Sequence, residues 1–208
     1  MASDDWAAQL APYADAWDLD TRAREVLVIY LAELLRWNRV HNLTAVRDPA
    51  QLIPRHVLDS LTLRPYLHGE RVLDVGTGAG LPGFILAATE RERAFCLLDS
   101  AAKRIRFLRN VIGLTGLGNA DAIHARIEDF HPGVLYTTVL SRAFKAPAEM
   151  LARVGHAVAP EGRVLAMLGQ RQVVDDPLPA PWSYRRVDPV TIPGEVAERH
   201  VAIIERAA

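Results

Sequence analysis

The chain has a single cysteine, Cys96, among its 208 residues. No disulfide can therefore form within it, and a cysteine–histidine metal site lacks its ligands. Lysine is nearly missing too. Lys103 and Lys145 are the only two, so the cations are almost all arginine. Neither sign of charge prevails: the net charge of -1 excludes a globally basic nucleic-acid binder, though not a local basic patch. No apolar run approaches the roughly 20 residues of a membrane-spanning helix. The acidic start Met1-Ala2-Ser3-Asp4-Asp5-Trp6 lacks a signal-peptide pattern, so a soluble, cytoplasmic protein is expected. Internal repeats and low-complexity segments are also missing. What is present is core material. Half of the residues are hydrophobic, enough for one domain with an extension, or at most two small domains.

The most informative stretch is Arg71-Val72-Leu73-Asp74-Val75-Gly76-Thr77-Gly78-Ala79-Gly80. A short apolar strand ends in an acid and turns through alternating glycines, the residue type that lets a ligand press against backbone. Leu81-Pro82-Gly83-Phe84-Ile85-Leu86 then opens a helix, with proline near its start. A second strand, Ala94 to Leu98, ends at Asp99, where an acid can accept hydrogen bonds from a ribose diol. The glycines fit two frames. Gly78 to Gly83 satisfies G-x-G-x-x-G, the dinucleotide fingerprint. The frame from Asp74, Asp-x-Gly-x-Gly-x-Gly, uses every glycine of the turn and resembles motif I of class I S-adenosylmethionine-dependent methyltransferases. A turn serving only tight strand–helix packing is the plain alternative.

Residues 1–67 read as a helical extension and 68–208 as the main domain. Asp20-Thr21 caps a helix with the apolar stripe Val26, Leu27, Tyr30, Leu31, Leu34 and Leu35. The segment Trp37 to Thr44 breaks that period and reads as a loop. Asp48-Pro49 starts another helix, which Pro54 is expected to interrupt. From 70 onward strands (71–75, 94–99, 119–124, 135–141, 163–168) alternate with helices (81–90, 101–113, 146–158). That alternation implies an α/β, Rossmann-like, mostly parallel sheet with helices on both faces. Two further strands near 183–190 and 200–206 suit the antiparallel pair that ends class I methyltransferases.

Six stretches, in order, resemble the RsmG (GidB) family of bacterial 16S rRNA guanine-N7 methyltransferases. They are Asn42 to Asp48, Arg55-His56-Val57-Leu58-Asp59-Ser60-Leu61, Asp74 to Gly83, Leu98-Asp99-Ser100-Ala101-Ala102-Lys103-Arg104, Arg126-Ile127-Glu128-Asp129-Phe130, and Ser141-Arg142-Ala143-Phe144. The glycine motif is shared by many methyltransferases; the two N-terminal stretches and Ser-Arg-Ala-Phe are far more specific. The resemblance implies S-adenosyl-L-methionine as cofactor and 16S rRNA or the small ribosomal subunit as partner. It also implies the guanine called 527 in the usual 16S numbering as target. A monomer without metal is expected. After the fifth strand the family commonly has Lys-Gly, whereas this chain has Leu168-Gly169; if that lysine touches RNA phosphate or the guanine, the charge must come from elsewhere here, for instance Arg171.

Expected roles follow, each beside a plainer one. Gly76, Gly78 and Gly80 bring backbone against the cofactor, and Leu81 flanks it. Asp74 organises the turn or a water near the donor's amino group, or merely caps a helix. Asp99 binds the ribose, caps the helix from Ala101, or both. By resemblance Ile127 and Glu128 contact the adenine; alone, they read as a solvated loop. Arg142 contacts cofactor or target, or forms a plain salt bridge. His56 and Asp59, three apart, share one helix face that closes over the site. His56 is otherwise an ordinary core histidine. Phe144 stacks on a flipped guanine or belongs to the core.

The chemistry these residues suit is direct methyl transfer. Guanine N7 carries a lone pair and no proton near neutral pH, so alignment replaces a general base. Cytosine C5 methylation needs a cysteine nucleophile, and Cys96 is mid-strand. Amino-group methylation usually shows an Asn/Asp-Pro-Pro-Tyr/Phe motif where this chain has Ser141-Arg142-Ala143-Phe144. Arg36, Arg39, Arg47, Arg55 and Arg64 are the first candidates for RNA phosphates, with Arg104, Arg106 and Arg109 as the rival group. Two other readings stay open: a class I methyltransferase acting on a small molecule or protein, and a non-catalytic ribosome-associated scaffold or NAD-binding module.

Overall fold

The computed structural model describes residues 5–142, 146–169, 177–195 and 198–207. Seven strands form one sheet in the order β3-β2-β1-β4-β5-β7-β6. They are β1 (Arg71–Val75), β2 (Ala94–Asp99), β3 (Ala120–His124), β4 (Tyr136–Ser141), β5 (Val158–Leu168), β6 (Trp182–Val190) and β7 (Arg199–Arg206). Strands β1 to β5 run parallel, while β7 pairs antiparallel with both β5 and β6. The order in which strands are added reverses between β1 and β4: β2 and β3 lie on one side of β1, and β4 and β5 on the other. That switch point, at the carboxyl ends of the strands, is where open α/β sheets bind ligands.

Alternation along each strand sorts the core. Val72, Phe95, Leu97, Leu140 and Leu165 face one side, together with helices α1 (Trp6–Leu10), α2 (Thr21–His41), α4 (Gly83–Thr89) and α5 (Ala102–Thr115). Leu73, Val75, Leu98, Val139 and Val164 face the other, covered by α6 (Pro147–Val154). Both faces of the central strands are buried, which explains their nearly continuous hydrophobic sequence.

Two helical expectations are corrected. The segment from Trp37 is not a loop: α2 continues to His41 and ends where Asn42 takes a left-handed conformation (φ 49°). The break in apolar period at Asn38 has a polar cause. Its buried side chain receives the Thr44 N–H at 2.9 Å and donates to the Val46 carbonyl, so a polar residue faces inward. Pro54 does not interrupt its helix either. The path is helical from Pro49 through a π-helical turn, Ile53–Leu58, into the short α3 (Asp59–Leu61). Pro54 sits at the start of that wider turn, where its missing N–H costs nothing. π-Turns are frequent at functional sites, and this one carries His56.

Candidate functional site

Gly76, Gly78 and Gly80 all have positive φ (70°, 63° and 93°). The turn is tied to β2 by the Gly76 and Thr77 N–H groups, which donate to the Leu98 carbonyl at 2.8 and 3.1 Å. Asp74, at the end of β1, is fully buried beneath it. Its Oδ2 accepts from the Thr77 hydroxyl and from the Gly83 N–H, each at 2.7 Å, while its Oδ1 has no hydrogen-bond partner among the described residues. Asp74 thus both organises the turn and caps α4. Burial raises its pKa to about 6, against the pull of those two hydrogen bonds.

The glycines do different jobs. A Cβ at Gly78 would project into open space, 3.9 Å from the Gly76 carbonyl. At Gly80 it would strike Phe84 and Leu108 at 2.7 Å, and Gly80 lines neither cavity at the site. Gly80 therefore lets α4 and α5 pack closely.

Two cavities meet at Gly76. The larger, about 580 Å³, is lined by Gly76, Gly78, Leu81, His56, Asp59 and Arg142, among others. The smaller, about 150 Å³, lies over Leu98, Asp99, Ile127 and Glu128. The two together bring the sequence-derived candidates to one place, apart from Asp74 and Gly80 just beneath. Phe144 and Arg171 lie outside the described residues.

Asp99 accepts from three protein donors: the Ala101 N–H at 2.8 Å, the Gly78 N–H at 2.9 Å and Arg104 Nη1 at 3.2 Å. It caps the start of α5 and joins that helix to the glycine turn. Glu128 is exposed and ion-paired with Arg153 at 2.9 Å. Arg142, just past β4, donates Nη1 to Asp59 Oδ2 at 3.0 Å. Asp59 is pushed up by burial, with Arg142 and Arg199 opposing the shift.

His56 has both ring nitrogens engaged. Nδ1 lies 2.9 Å from the Arg55 carbonyl, so it must carry the proton, and Nε2 then accepts from the Thr44 hydroxyl at 2.8 Å. Burial lowers its pKa to about 4, so the ring is neutral at physiological pH. This bond anchors segment 43–46, which forms one wall of the larger cavity.

The chain matches the family model for rRNA small subunit methyltransferase G over residues 23–178. It is 40% identical to ribosomal RNA small subunit methyltransferase G of Marinobacter nauticus, over all of this chain and 98% of that protein. The enzyme of that name from Xanthomonas campestris is 39% identical, with 97% and 96% covered. The chain belongs to this methyltransferase family. Among solved structures, a SAM-dependent methyltransferase from Aquifex aeolicus superposes with a TM-score of 0.59 at 16% identity, covering 78% of this chain and 96% of that one. TrmN from Thermus thermophilus gives 0.56 at 19%, covering 83% and 52%. At such identities these two speak for the fold alone.

Three features of this family member had no local signal. Tyr30 reads in sequence as one more position of an apolar stripe. Its ring stacks on Phe84 (centroids 4.8 Å apart), and its buried hydroxyl donates to the Ala79 carbonyl at 2.9 Å, inside the glycine turn. Arg55 pairs with Glu195 at 2.8 Å, fastening the π-turn to the segment between β6 and β7. Arg199, at the start of β7, lines the larger cavity and approaches Asp59 to 3.7 Å.

Tyr30→Phe is expected to keep the ring packing and leave the Ala79 carbonyl unpaired. Denaturant unfolding should show a loss of about 1–2 kcal/mol. Calorimetry should show weaker binding of S-adenosylhomocysteine. Full retention of both would mean that the hydroxyl contributes nothing to holding the turn.

Proposed function

We propose that this chain transfers the methyl group of S-adenosyl-L-methionine to N7 of a guanine in 16S rRNA, with the family's guanine 527 as target. The observation that carries the reading is the join between the two cavities. Gly76 is common to both: one side holds Asp99, Ile127 and Glu128, the other His56, Asp59 and Arg142. That is the layout for a nucleoside-bearing donor on one side and an acceptor on the other. The unpartnered, buried Oδ1 of Asp74 and the open space beside Gly78 suit a cationic, close-fitting ligand. Gly76, Gly78, Leu81 and Arg142 would hold the methionine part; Asp99, Ile127 and Glu128 would hold the adenosine. Gly80 and Asp74 would act from beneath. Residues 68–208 would supply this pocket, with the helical extension 1–67 closing over it.

The cofactor supplies an electrophilic methyl on a sulfonium. The acceptor N7 needs no deprotonation, so this chain has only to align it and exclude water. A neutral His56 with both nitrogens occupied fits that demand: it is a positioning residue that fixes the 43–46 wall, not a base. The protein would act as a cytoplasmic monomer on the small subunit; among the described residues no helix is long and apolar enough to cross a membrane.

The test is incubation with labelled methyl donor and small subunits lacking the modification. Label should appear in 16S rRNA as N7-methylguanine. Tight donor binding without any incorporation would favour a small-molecule or protein acceptor, and no donor binding would favour a scaffold.

RNA docking has its own test. Arg39 is exposed near the end of α2, Arg47 bonds the neutral Asn42 side chain at 2.8 Å, and Lys103 reaches the His41 carbonyl at 3.1 Å. Arg47 follows Val46, and Lys103 precedes Arg104; Val46 and Arg104 both line the larger cavity. Neutralising Arg39 and Arg47 together should lower the slope of log K for subunit binding against log salt by about two. Donor affinity should not change. An unchanged slope would move docking to the face of Arg106 and Arg109.

A further inference from the structure

Asp59 is the only acid among the described residues lining the larger cavity, and it lies between two guanidinium groups. Its Oδ2 takes Arg142 Nη1 at 3.0 Å, and its Oδ1 lies 3.7 Å from Arg199 Nε. The two arginines enter from different elements. Arg142 follows β4, beside β1 and the glycine turn. Arg199 opens β7, across β5 and on the far side of the cavity from β2 and β3. The β5–β7 register pairs Leu168 with His200, so Arg199 sits at the strand end where Leu168 and Gly169 line the same cavity. Its side chain is 32% exposed. Arg104, the third cation on the cavity wall, is already tied to Asp99.

Resting on the rRNA reading above, we propose that Arg199 selects guanine by donating a hydrogen bond to its O6, with Asp59 holding the guanidinium in place. The Hoogsteen edge of guanine presents two acceptors, N7 and O6; that of adenine presents N7 and the N6 amino donor. N7 must stay clear for the incoming methyl, which leaves position 6 as the only other group on that edge. A guanidinium has donors and no acceptor. Facing O6 it makes a hydrogen bond; facing N6 it leaves two donors opposed. Arg199 stands on the acceptor's side of the cavity, and the negative charge of Asp59, 3.7 Å from its Nε, draws the guanidinium to that wall. The apolar walls Leu43, Val46, Met167 and Leu168 suit the faces of a planar base.

The test uses small subunits reassembled around 16S rRNA in which the target guanosine is replaced, by splinted ligation, with inosine or 2-aminopurine riboside. Inosine keeps O6 and N7; 2-aminopurine keeps N7 and lacks O6. The unaltered protein should methylate guanosine and inosine with similar kcat/KM, and 2-aminopurine roughly 10- to 100-fold less well. Arg199→Met should lose that factor on guanosine and inosine, lose almost nothing further on 2-aminopurine, and leave S-adenosylhomocysteine affinity unchanged. Arg199→Lys should recover part of the guanosine rate, which keeps the test open if the Met variant folds poorly. Equal losses by Arg199→Met on guanosine and 2-aminopurine would overturn the proposal, because the arginine would then act without reference to O6. So would an unchanged guanosine rate. Failure of the unaltered protein to methylate guanosine at all would instead sink the rRNA reading on which the proposal rests.

Discussion

Gly78→Val should abolish measurable donor binding in a protein that still folds. Gly78 has φ of 63°, a region where a residue with a Cβ pays about 1–2 kcal/mol and a β-branched one more. Its Cβ would meet no protein atom closer than 3.9 Å, because it would point into the cavity where we place the donor. The strain should lower the melting temperature by several degrees. The larger effect falls on the ligand: affinity for S-adenosylhomocysteine should drop about 100-fold or more, equivalent to about 2.7 kcal/mol. Gly83→Ala provides the contrast. There a Cβ would lie 2.5 Å from Leu97 Cδ2 and 2.7 Å from Asp74 Oδ2, inside the packed junction of β1, β2 and α4. Overpacking of this kind costs about 1–3 kcal/mol in stability. Calorimetry and thermal melts on both variants separate the two roles. If Gly78→Val bound the donor normally, the cavity beside Gly78 would not be the donor site.

The contrast between these two glycines shows what a sequence carries and what it does not. The motif from Asp74 to Gly83 is local: a short apolar run, glycines and a proline mark strand, turn and helix, and β1 and β2 fall at 71–75 and 94–99 as expected. Which glycine faces a ligand and which faces a neighbouring helix depends on Phe84, Leu97 and Leu108, and nothing in the motif itself distinguishes them. Asn38 broke the apolar period and looked like a helix end because a buried polar side chain and a surface one are the same letter. Pro54 looked like a break because the wider π-turn that accepts it has no sequence signature. The pairings Tyr30 to Ala79, Arg55 to Glu195 and Arg199 to Asp59 span 49, 140 and 140 residues. Such contacts follow from the sheet order, since only the placement of β7 beside β5 brings the C-terminal hairpin to the helical extension.

Asp74→Asn should fold much as the parent does and lose donor affinity, along with the pH dependence of that affinity. The amide oxygen can take the place of Oδ2 and accept from the Thr77 hydroxyl and the Gly83 N–H, so the turn keeps both bonds. Asp74→Ala, by contrast, strands two buried donors at about 1–3 kcal/mol each and should be markedly less stable. The charge is what the Asn variant removes. Buried beneath the turn, the anion is poorly compensated, which is why the Asp74 pKa stands at about 6 against an ordinary 3.8. Between those values the folded chain binds more protons than the unfolded chain at this group, so acidification through that window favours the fold here. A donor carrying sulfonium and ammonium charges beside the turn favours the anion and lowers that pKa. By linkage, its affinity should be constant above about pH 7 and fall as the pH drops through about 6. Each unit by which the bound donor depresses the pKa appears as a tenfold loss below the window. Isothermal titration from pH 5 to pH 8 should show proton release on binding to the parent protein in the acidic half and none to Asp74→Asn. An Asn variant with the parent's affinity and the parent's pH profile would mean that the Asp74 charge plays no part in holding the donor.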